Sequence, residues 1–351
     1  MSRIQQRAVR VLIVDDSALV RKILADGFAR DGEIEVVGQA ADPYKARDLL
    51  VELKPDVVTL DVEMPRMDGV TFLQRFMPIM PTPTVMISSL AQQGKTITLQ
   101  ALEAGAVDIV AKPTVGIVDG LPVMIEDICR RVKAAAQVDV SCFARRAPAP
   151  IERIATLEET TDKIIAIGSS TGGVQALTRI MPAFPPQTSA IVIVQHMPAG
   201  VTGNFAARLD GLCGMSVKEA EHGERLRAGS AYVAPGGVRH MAVLRSGGEY
   251  RIALEDGPEV NFSRPAVDVL FKSIAVAAGR NASAAVLTGM GRDGAAGLLA
   301  IRKAGGRTIV QDEASSIVFG MPKAAWEAGA AEDIAPLDKI PVFLAASSRR
   351  I

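Results

Sequence analysis

A serine in a glycine-rich turn has the setting of a nucleophile. Gly168, Ser170 and Gly172 stand in G-x-S-x-G spacing, between the apolar run 164–167 and a helix-periodic segment that begins at Val174. A serine at the tip of a sharp strand-to-helix turn needs small neighbours, so that its hydroxyl is exposed and a substrate can approach. The amides at the start of the following helix would favour negative charge that develops at the turn. The spacing is compatible with an activated serine at position 170, although most Gly/Ser-rich turns of parallel α/β domains carry no nucleophile.

Turns of this kind also bind phosphate, because the same backbone amides face an anion. A dinucleotide-binding turn would in addition need an acidic residue at the end of the next strand, where it would bind the ribose. The next predicted strand, 190–194, is followed instead by Gln195 and His196. The ribose ligand is thus missing and a general base is present, which favours the serine nucleophile over the two binding functions.

His196 and Asp293 are the candidates for the base and for the carboxylate that orients it. The chain has three histidines. His196 is the one that ends a strand beside the strand of Ser170, whereas His222 lies in a charged hairpin and His240 in a turn. Asp293 follows a third predicted strand, and we expect it to fix the imidazole tautomer, to cap the helix that follows, or both. The order Ser-His-Asp differs from that of α/β-hydrolases and of chymotrypsin-like proteases, so the spacing does not imply either fold.

A second group of polar residues follows the predicted strands of the first half of the chain. Strands alternate there with helices, a pattern typical of a doubly wound parallel sheet, whose ligands bind at the carboxyl ends of the strands. Clustered carboxylates at this edge would repel one another without a cation, and hard oxygen ligands suit Mg²⁺. One carboxylate would then act as a nucleophile toward a phosphoryl group, with the metal and a lysine binding the phosphate oxygens. The residues at these strand ends are Asp15, Asp16, Asp61, Ser88 and Lys112.

Hydrophobic periodicity predicts the elements that position these residues. In the first half, it predicts strands at 9–14, 34–37, 57–60, 84–87 and 107–110, and helices at 18–30, 43–53, 70–76, 96–103 and 124–135. In the second half, residues 215–256 predict an antiparallel hairpin insertion, with short strands at 216–218, 230–233, 241–244 and 250–254. The other elements predicted there are strands at 190–194, 284–287 and 308–310, and helices at 201–209, 267–278, 295–304 and 322–328.

The fold class predicted is α/β in two domains. Residues 1–135 form a doubly wound parallel sheet of five strands. Residues 136–160 are a linker, because they carry the run A-R-R-A-P-A-P at 144–150 and few residues suited to a core. Residues 161–351 form a second α/β domain, with a mostly parallel sheet and the antiparallel hairpin insertion.

Composition excludes several functions. The 351 residues have a net charge of zero and no basic patch, so nucleic-acid binding has no electrostatic support. The polar N-terminus and the absence of a long apolar run predict neither secretion nor membrane insertion. The three cysteines, Cys129, Cys142 and Cys213, show no C-x-x-C spacing, which indicates a reducing cytoplasm. We expect a cytoplasmic monomer.

The first domain resembles the receiver domain of two-component response regulators. The motifs that carry the resemblance are V-D-D at 14–16, L-D-V-E-M-P-R-M-D-G at 60–69, Ser88, and K-P at 112–113. The resemblance implies that Asp61 accepts a phosphoryl group from a chemotaxis histidine kinase. It implies Mg²⁺ bound by Asp16, Asp61 and the backbone carbonyl of Glu63, with support from Asp15. Ser88 and Lys112 would interact with the phosphoryl group once it is in place.

The second domain resembles the catalytic domain of the chemotaxis methylesterases. The motifs are G-S-S-T-G-G at 168–173, Q-H-M-P at 195–198, A-P-G-G at 234–237 with His240, and T-G-M-G-R-D-G at 288–294. The resemblance implies a serine hydrolase, without a cofactor in this domain, that demethylates glutamate methyl esters and deamidates glutamines on methyl-accepting chemoreceptors. Ser170 would attack the ester carbonyl, His196 would take its proton, and the amides near Thr171 and Met290 would bind the oxyanion.

Control by phosphorylation is a further hypothesis: the receiver domain would cover the Ser170 site until Asp61 is phosphorylated. Two other functions compete with the hydrolase. A receiver-linked module that binds nucleotide or phosphate would not need His196 and Asp293. A DNA-binding response regulator would need a basic, helical output domain, and neither the charge nor the α/β pattern of the second half fits it.

Overall fold

The computed structural model describes residues 7–89, 94–112, 117–140, 151 and 162–346. The chain divides into two compact units, Met1–Ala147 and Pro148–Ile351, which are described one at a time. Most of the predicted linker at 136–160 lies outside the described residues, so the linker stays a prediction. None of the helices described below combines the length and the apolar composition that crossing a bilayer requires.

The first unit contains a five-stranded parallel sheet in the order β2-β1-β3-β4-β5, as the alternating pattern predicted. Its strands are β1 (Val9–Val14), β2 (Ile34–Ala40), β3 (Val57–Asp61), β4 (Thr84–Ser89) and β5 (Asp108–Lys112). Its helices are α1 (Ala18–Asp31), α2 (Pro43–Leu53), α3 (Gly69–Phe76), α4 (Gly94–Glu103) and α5 (Ile117–Ala135).

Local sequence signals explain where these helices begin. The Ser17 hydroxyl accepts a hydrogen bond from the Val20 amide at the start of α1, and Asp42 and Asp68 cap α2 and α3 in the same way. Helix α5 begins at Ile117 rather than at the predicted residue 124, so the backbone is helical through Pro122.

The second unit contains a seven-stranded parallel sheet in the order β14-β13-β12-β6-β7-β9-β8, and a separate antiparallel pair, β10 with β11. Its strands are β6 (Ile164–Ser169), β7 (Ala190–Gln195), β8 (Ser216–Glu219), β9 (Ser230–Val233), β10 (His240–Ser246), β11 (Glu249–Glu255), β12 (Ala282–Val286), β13 (Arg307–Gln311) and β14 (Asp333–Ala335). Its helices are α6 (Gly173–Ile180), α7 (Thr202–Asp210), α8 (Val267–Ala277), α9 (Ala295–Lys303), α10 (Met321–Glu327) and α11 (Ile340–Ala345).

The antiparallel hairpin is smaller than predicted. Strands β10 and β11 pair antiparallel, which confirms the prediction for these two. The assignment of β8 and β9 to the same insertion was wrong, because β9 pairs parallel with β7 and β8 pairs parallel with β9. Short strands between glycine-rich turns look alike in sequence whichever way they run, and only the path of the connection decides their direction.

The centre of the second sheet positions the candidate site. Strands β6, β7 and β12 are buried along their whole length, which explains why they read as continuous apolar runs in sequence. Helices α8 and α9 pack on this sheet through buried side chains such as Phe271 and Leu298. The carboxyl ends of β6, β7 and β12 lead directly into the turns that carry Ser170, His196 and Asp293.

Candidate functional site

A buried glutamine fixes the turn of Ser170 against the turn of His196. Strands β6 and β7 pair so that Ser169 lies opposite Gln195, and the Ser169 hydroxyl donates to Gln195 Oε1 at 2.6 Å. Gln195 Nε2 donates to the backbone carbonyl of Ser170 at 2.8 Å and to that of His196 at 3.1 Å. One amide therefore determines how the two strand ends face each other, and sequence analysis had assigned Gln195 no such role.

Asp293 contacts His196 directly. Asp293 Oδ2 lies 2.9 Å from His196 Nε2. The same carboxylate accepts the backbone amides of Val267 at 2.7 Å and Asp268 at 3.0 Å, which are the first amides of α8. The expectation that Asp293 caps the helix after it was wrong: α9 follows Gly294 without a side-chain cap, and Asp293 caps α8. The turn after β12 thus contacts the amino end of α8, a helix that comes before β12 in the sequence.

The charge of Asp293 determines the tautomer of His196. Burial alone would raise the pKa of Asp293, but the hydrogen bond from His196 and the amides of Asp268 and Val267 hold it below its ordinary value of 3.8. An ionised carboxylate can only accept, so Nε2 of His196 carries a proton. Nδ1 then has the free electron pair, and Nδ1 is the atom that can act as a base.

Ser170 and His196 are neighbours without a direct hydrogen bond. In the described ranges, the Ser170 hydroxyl forms no hydrogen bond. The hydroxyl that His196 Nδ1 contacts is that of Ser263, at 3.3 Å. The structure therefore brings His196 and Asp293 into contact and places Ser170 at the adjacent strand end, but it does not show the predicted contact between Ser170 and the imidazole. Hydrogen bonds between catalytic groups are often long before a substrate binds.

The turns of Thr171 and Met290 pack closely around Ser170. The Ser170 amide donates to the carbonyl of Thr288 at 3.1 Å, and the Thr288 hydroxyl donates to the carbonyl of Thr171 at 2.9 Å. A β-carbon on Gly289 would lie 2.9 Å from that of Ser170, so the approach of the two turns requires glycine. Among the residues described, the amides of Thr171 and Met290 have no hydrogen-bond acceptor, which is the state expected of oxyanion donors.

Sequence reasoning missed the segment between β11 and α8. Asn261 Nδ2 donates to Asp293 Oδ1 and to Asp268 Oδ2, both at 3.1 Å. Ser263 of the same segment contacts His196. In the sequence, Asn261 and Ser263 are visible only as two polar residues just before the predicted helix at 267–278. Their types and positions do not indicate which part of the chain they contact.

His240 supports this segment and is not available as a base. It is buried, its Nδ1 accepts the amide of Ala266 at 3.1 Å, and its Nε2 lies 2.9 Å from the carbonyl of Pro258. Both ring nitrogens are therefore engaged by backbone. His222 Nδ1 similarly accepts the amide of Leu254 at 3.1 Å.

In the first unit, three carboxylates meet at the carboxyl ends of β1 and β3. Asp15, Asp16 and Asp61 each offer an oxygen within 4.8 Å of the others. Lys112 Nζ lies 2.9 Å from Asp15 Oδ2 and 2.8 Å from Asp61 Oδ2. The other oxygen of Asp61 is buried and has no hydrogen-bond donor among the described residues. An unpaired carboxylate oxygen beside the exposed Asp16 fits a hard cation such as Mg²⁺.

The raised carboxyl pKa values in this cluster are those of buried acids whose charge Lys112 neutralises only in part. Burial raises the pKa of Asp61 to about 6, the charge of Asp15 acts in the same direction, and Lys112 opposes both. Burial also raises the pKa of Asp15. The backbone amide of Glu63 acts to lower the pKa of Asp61, and the Glu63 side chain is exposed. Ser88 lies within β4, but its side chain is outside the described residues.

The comparisons with known proteins agree for both units. A family model described as CheB methylesterase matches residues 165–344, and one described as response regulator receiver domain matches residues 11–119. The protein-glutamate methylesterase/protein-glutamine glutaminase of Syntrophotalea carbinolica is 53% identical over 339 residues, covering 95% of this chain and 96% of that protein. Protein-glutamate methylesterase/protein-glutamine glutaminase 2 of Pseudomonas aeruginosa is 51% identical over 342 residues, covering 97% of each.

A solved structure supports the likeness of the second unit. The crystal structure of the Thermotoga maritima CheB methylesterase catalytic domain is 41% identical and has a TM-score of 0.51. It covers 53% of this chain and 98% of that domain.

Proposed function

Because the chain belongs to the CheB methylesterase family and carries a response regulator receiver domain, we propose that it is a phosphorylation-activated serine hydrolase of chemoreceptors. It would hydrolyse glutamate methyl esters and deamidate glutamines, the two activities that the names of its relatives give for those proteins. The side chains it acts on would lie on the cytoplasmic helices of methyl-accepting chemoreceptors, as the sequence resemblance implies. The observation that carries this proposal is the 2.9 Å contact of His196 with Asp293 beside the turn of Ser170.

The residues of the second unit would divide the reaction as follows. Ser170 Oγ bonds to the ester carbonyl carbon while its proton passes to Nδ1 of His196. The bond from that carbon to the methoxy oxygen breaks, His196 returns the proton to the leaving oxygen, and methanol departs. Water then attacks the glutamyl-serine ester with the same help from His196, and glutamate and Ser170 are released. With glutamine, ammonia leaves in place of methanol.

The orientation of His196 makes Nδ1 the working nitrogen. Nε2 is held by Asp293, and Asp293 would stabilise the imidazolium that forms when Nδ1 takes the proton. The Ser170 hydroxyl must approach Nδ1 to react, where the Ser263 hydroxyl now lies. The amides of Thr171 and Met290 would donate to the oxyanion, and removing one such donor typically costs about 3 kcal/mol in the barrier.

In the first unit, Asp61 would accept a phosphoryl group from a histidine kinase. Mg²⁺, bound by Asp16, Asp61 and the Glu63 carbonyl with support from Asp15, would neutralise charge on the phosphoryl oxygens. Lys112 already contacts Asp61, and it would move with Ser88 onto the phosphoryl group. The domains would be residues 1–135 and 161–351, with 136–160 as the linker. We place the reaction in the cytoplasm and expect a monomer.

Methanol release from membranes that contain methylated chemoreceptors tests the proposal. The full chain should release methanol, and a small phosphodonor with Mg²⁺ should accelerate the release. The Ser170→Ala variant should release none while still taking up phosphate. Absence of methanol release by the folded, phosphorylated wild type would refute the proposed activity.

A further inference from the structure

The Thr171 amide belongs to a peptide unit whose carbonyl is bound on the opposite side. That carbonyl, of Ser170, accepts the Gly173 amide and Gln195 Nε2, both at 2.8 Å. The Ser170–Thr171 peptide bond is trans, and in a planar trans peptide the N–H points opposite to the C=O of the same unit. The two donors that hold the carbonyl therefore also fix the direction of the Thr171 amide.

The Met290 amide is held in the same way, by a segment that lies thirty residues further along the chain. The Gly289 carbonyl is part of the same trans peptide as the Met290 amide. It accepts the Gly320 amide at 3.2 Å and the Met321 amide at 2.7 Å, so both lone pairs of this oxygen are engaged. The Met290 amide, which has no acceptor within the described part of the chain, consequently points away from Gly320 and Met321.

The absence of a side chain at Gly320 allows this close approach. A β-carbon there would lie 2.8 Å from the Gly289 oxygen and 3.3 Å from the Met290 α-carbon. The φ of Gly320 is −101°, which any residue adopts. The packing, and not the backbone conformation, therefore requires glycine at this position. A larger residue would displace the Gly289 carbonyl and the Met290 amide with it.

Further contacts join the same segment to the turn of Ser170. The Val318 amide donates to the Thr288 hydroxyl at 2.9 Å, and that hydroxyl donates to the carbonyl of Thr171 at 2.9 Å. A β-carbon on Gly172 would lie 2.7 Å from that of Ile317, so the segment also packs against the residue that precedes α6. It thus contacts the turns of both candidate oxyanion donors.

We infer that residues 317–321 are a positioning segment, which directs the Met290 amide toward the oxyanion. The inference rests on the proposed function. Gly320 and Met321 act through the Gly289 carbonyl and are positioning residues, not catalytic ones. An oxyanion donor is effective when it already points to the place where negative charge develops, because no reorganisation is then needed during the reaction. The segment supplies this preorganisation.

The test uses Gly320→Ala in the full-length chain, with methylated chemoreceptor in membranes as the substrate and a small phosphodonor with Mg²⁺ present. We expect kcat to fall about tenfold with KM nearly unchanged, because a displaced donor weakens binding of the transition state and not of the substrate. The rate at which a fluorophosphonate labels Ser170 should fall by a similar factor, since the phosphoryl oxygen of the reagent uses the same donors.

Gly211→Ala is the matched control. It makes the same substitution after the last residue of α7, where φ is −67°. A β-carbon there would lie 3.6 Å from its nearest neighbour, the carbonyl oxygen of Arg208, which is an ordinary contact. This variant should keep the wild-type kcat, KM and labelling rate.

A pair of variants at Thr288 provides a second test that does not depend on the folding of Gly320→Ala. Thr288→Val removes the hydroxyl that the Val318 amide contacts, and kcat should fall about tenfold, as expected for a modest displacement of reacting groups. Thr288→Ser keeps a hydroxyl and should retain most of the wild-type kcat. Thermal unfolding of each full chain shows which variants are folded.

An unchanged kcat in folded Gly320→Ala would overturn the inference, and so would an equal loss of kcat in Gly211→Ala. A rise in KM at unchanged kcat would assign the segment to substrate binding, and a lower kcat with an unchanged labelling rate would place the effect outside attack by Ser170. Equal losses in Thr288→Val and Thr288→Ser would likewise contradict it. If the wild type were labelled on Ser170 yet released no methanol, the proposed function would fail, and the labelling rates would still decide the inference.

Discussion

Asp293 orients His196 with the same carboxylate that caps a helix. Its Oδ2 lies 2.9 Å from His196 Nε2, and the first amides of α8 donate to the carboxylate at 2.7 and 3.0 Å. The helix thus fixes the carboxylate, and the carboxylate fixes the ring. Changes at Asp293 should consequently affect activity and stability together, whereas changes at Ser170 should affect activity alone.

Replacing Asp293 with asparagine should lower kcat/KM by about 10⁴-fold, because the amide no longer enforces the tautomer that leaves Nδ1 free. The same variant should lose about 2 kcal/mol of unfolding free energy, since charged hydrogen bonds to two buried amides become neutral ones. Ester hydrolysis and urea unfolding of the full chain measure the two effects. An active Asp293→Asn enzyme would exclude the proposed role of this carboxylate.

The contribution of Asp293 to stability should depend on pH with a defined sign. Its pKa is lowered in the folded state from 3.8, so as pH falls the unfolded chain is protonated first. The stabilisation is complete above the unfolded pKa and is lost as pH falls through the lowered folded value. The difference in unfolding free energy between wild type and Asp293→Asn should accordingly be constant near neutral pH and shrink below about pH 4. A difference that grows on acidification would contradict the pKa direction.

Gln195 should affect kcat because it positions Ser170 and His196, and not because it contacts the substrate. Gln195→Ala removes the hydrogen bonds to the carbonyls of Ser170 and His196, and a misplacement of reacting groups by about 1 Å costs about 10²-fold in rate. We expect kcat to fall by this factor with KM changed little. Thr308→Ala, which removes a buried hydroxyl on β13 that accepts the Glu332 amide, is the control for the loss of a buried hydrogen bond as such. Equal losses of kcat in both variants would assign Gln195 a purely structural role.

Phosphorylation should require Asp61 and a divalent cation. Asp61→Asn, or removal of Mg²⁺ with a chelator, should abolish the acceleration of methanol release by a small phosphodonor without lowering the rate seen in its absence. Lys112→Ala should leave phosphate uptake measurable but weaken the acceleration, because Lys112 contacts the carboxylate that is modified. Acceleration that persists in Asp61→Asn would place the phosphoryl acceptor elsewhere.

The elements and the strand-end residues could be predicted because they depend on local pattern. Continuous apolar runs marked the buried strands, and the rule for parallel sheets placed Asp15, Asp61 and Lys112 at one edge, where the structure has them in contact. The same rule placed Ser170 and His196 at adjacent strand ends.

The remaining contacts join parts of the chain whose meeting no local pattern specifies. Asn261 reaches Asp293 through a turn with two positive φ values, and neither residue type nor spacing predicts such a turn. The capping of α8 by Asp293 was likewise missed, because a carboxylate before a helix normally caps that helix. The direction of β8 and β9 depends on a connection without a periodic signature.

Covalent labelling tests the central claim most directly, because Ser170 and Ser263 both lie near His196 and only one can be the nucleophile. The full chain would be treated with a fluorophosphonate, and the modified peptide identified by mass spectrometry in the wild type, Ser170→Ala and Ser263→Ala. The account predicts one adduct, on Ser170, in the wild type and in Ser263→Ala, and none in Ser170→Ala. An adduct on Ser263, or labelling that persists in Ser170→Ala, would contradict it.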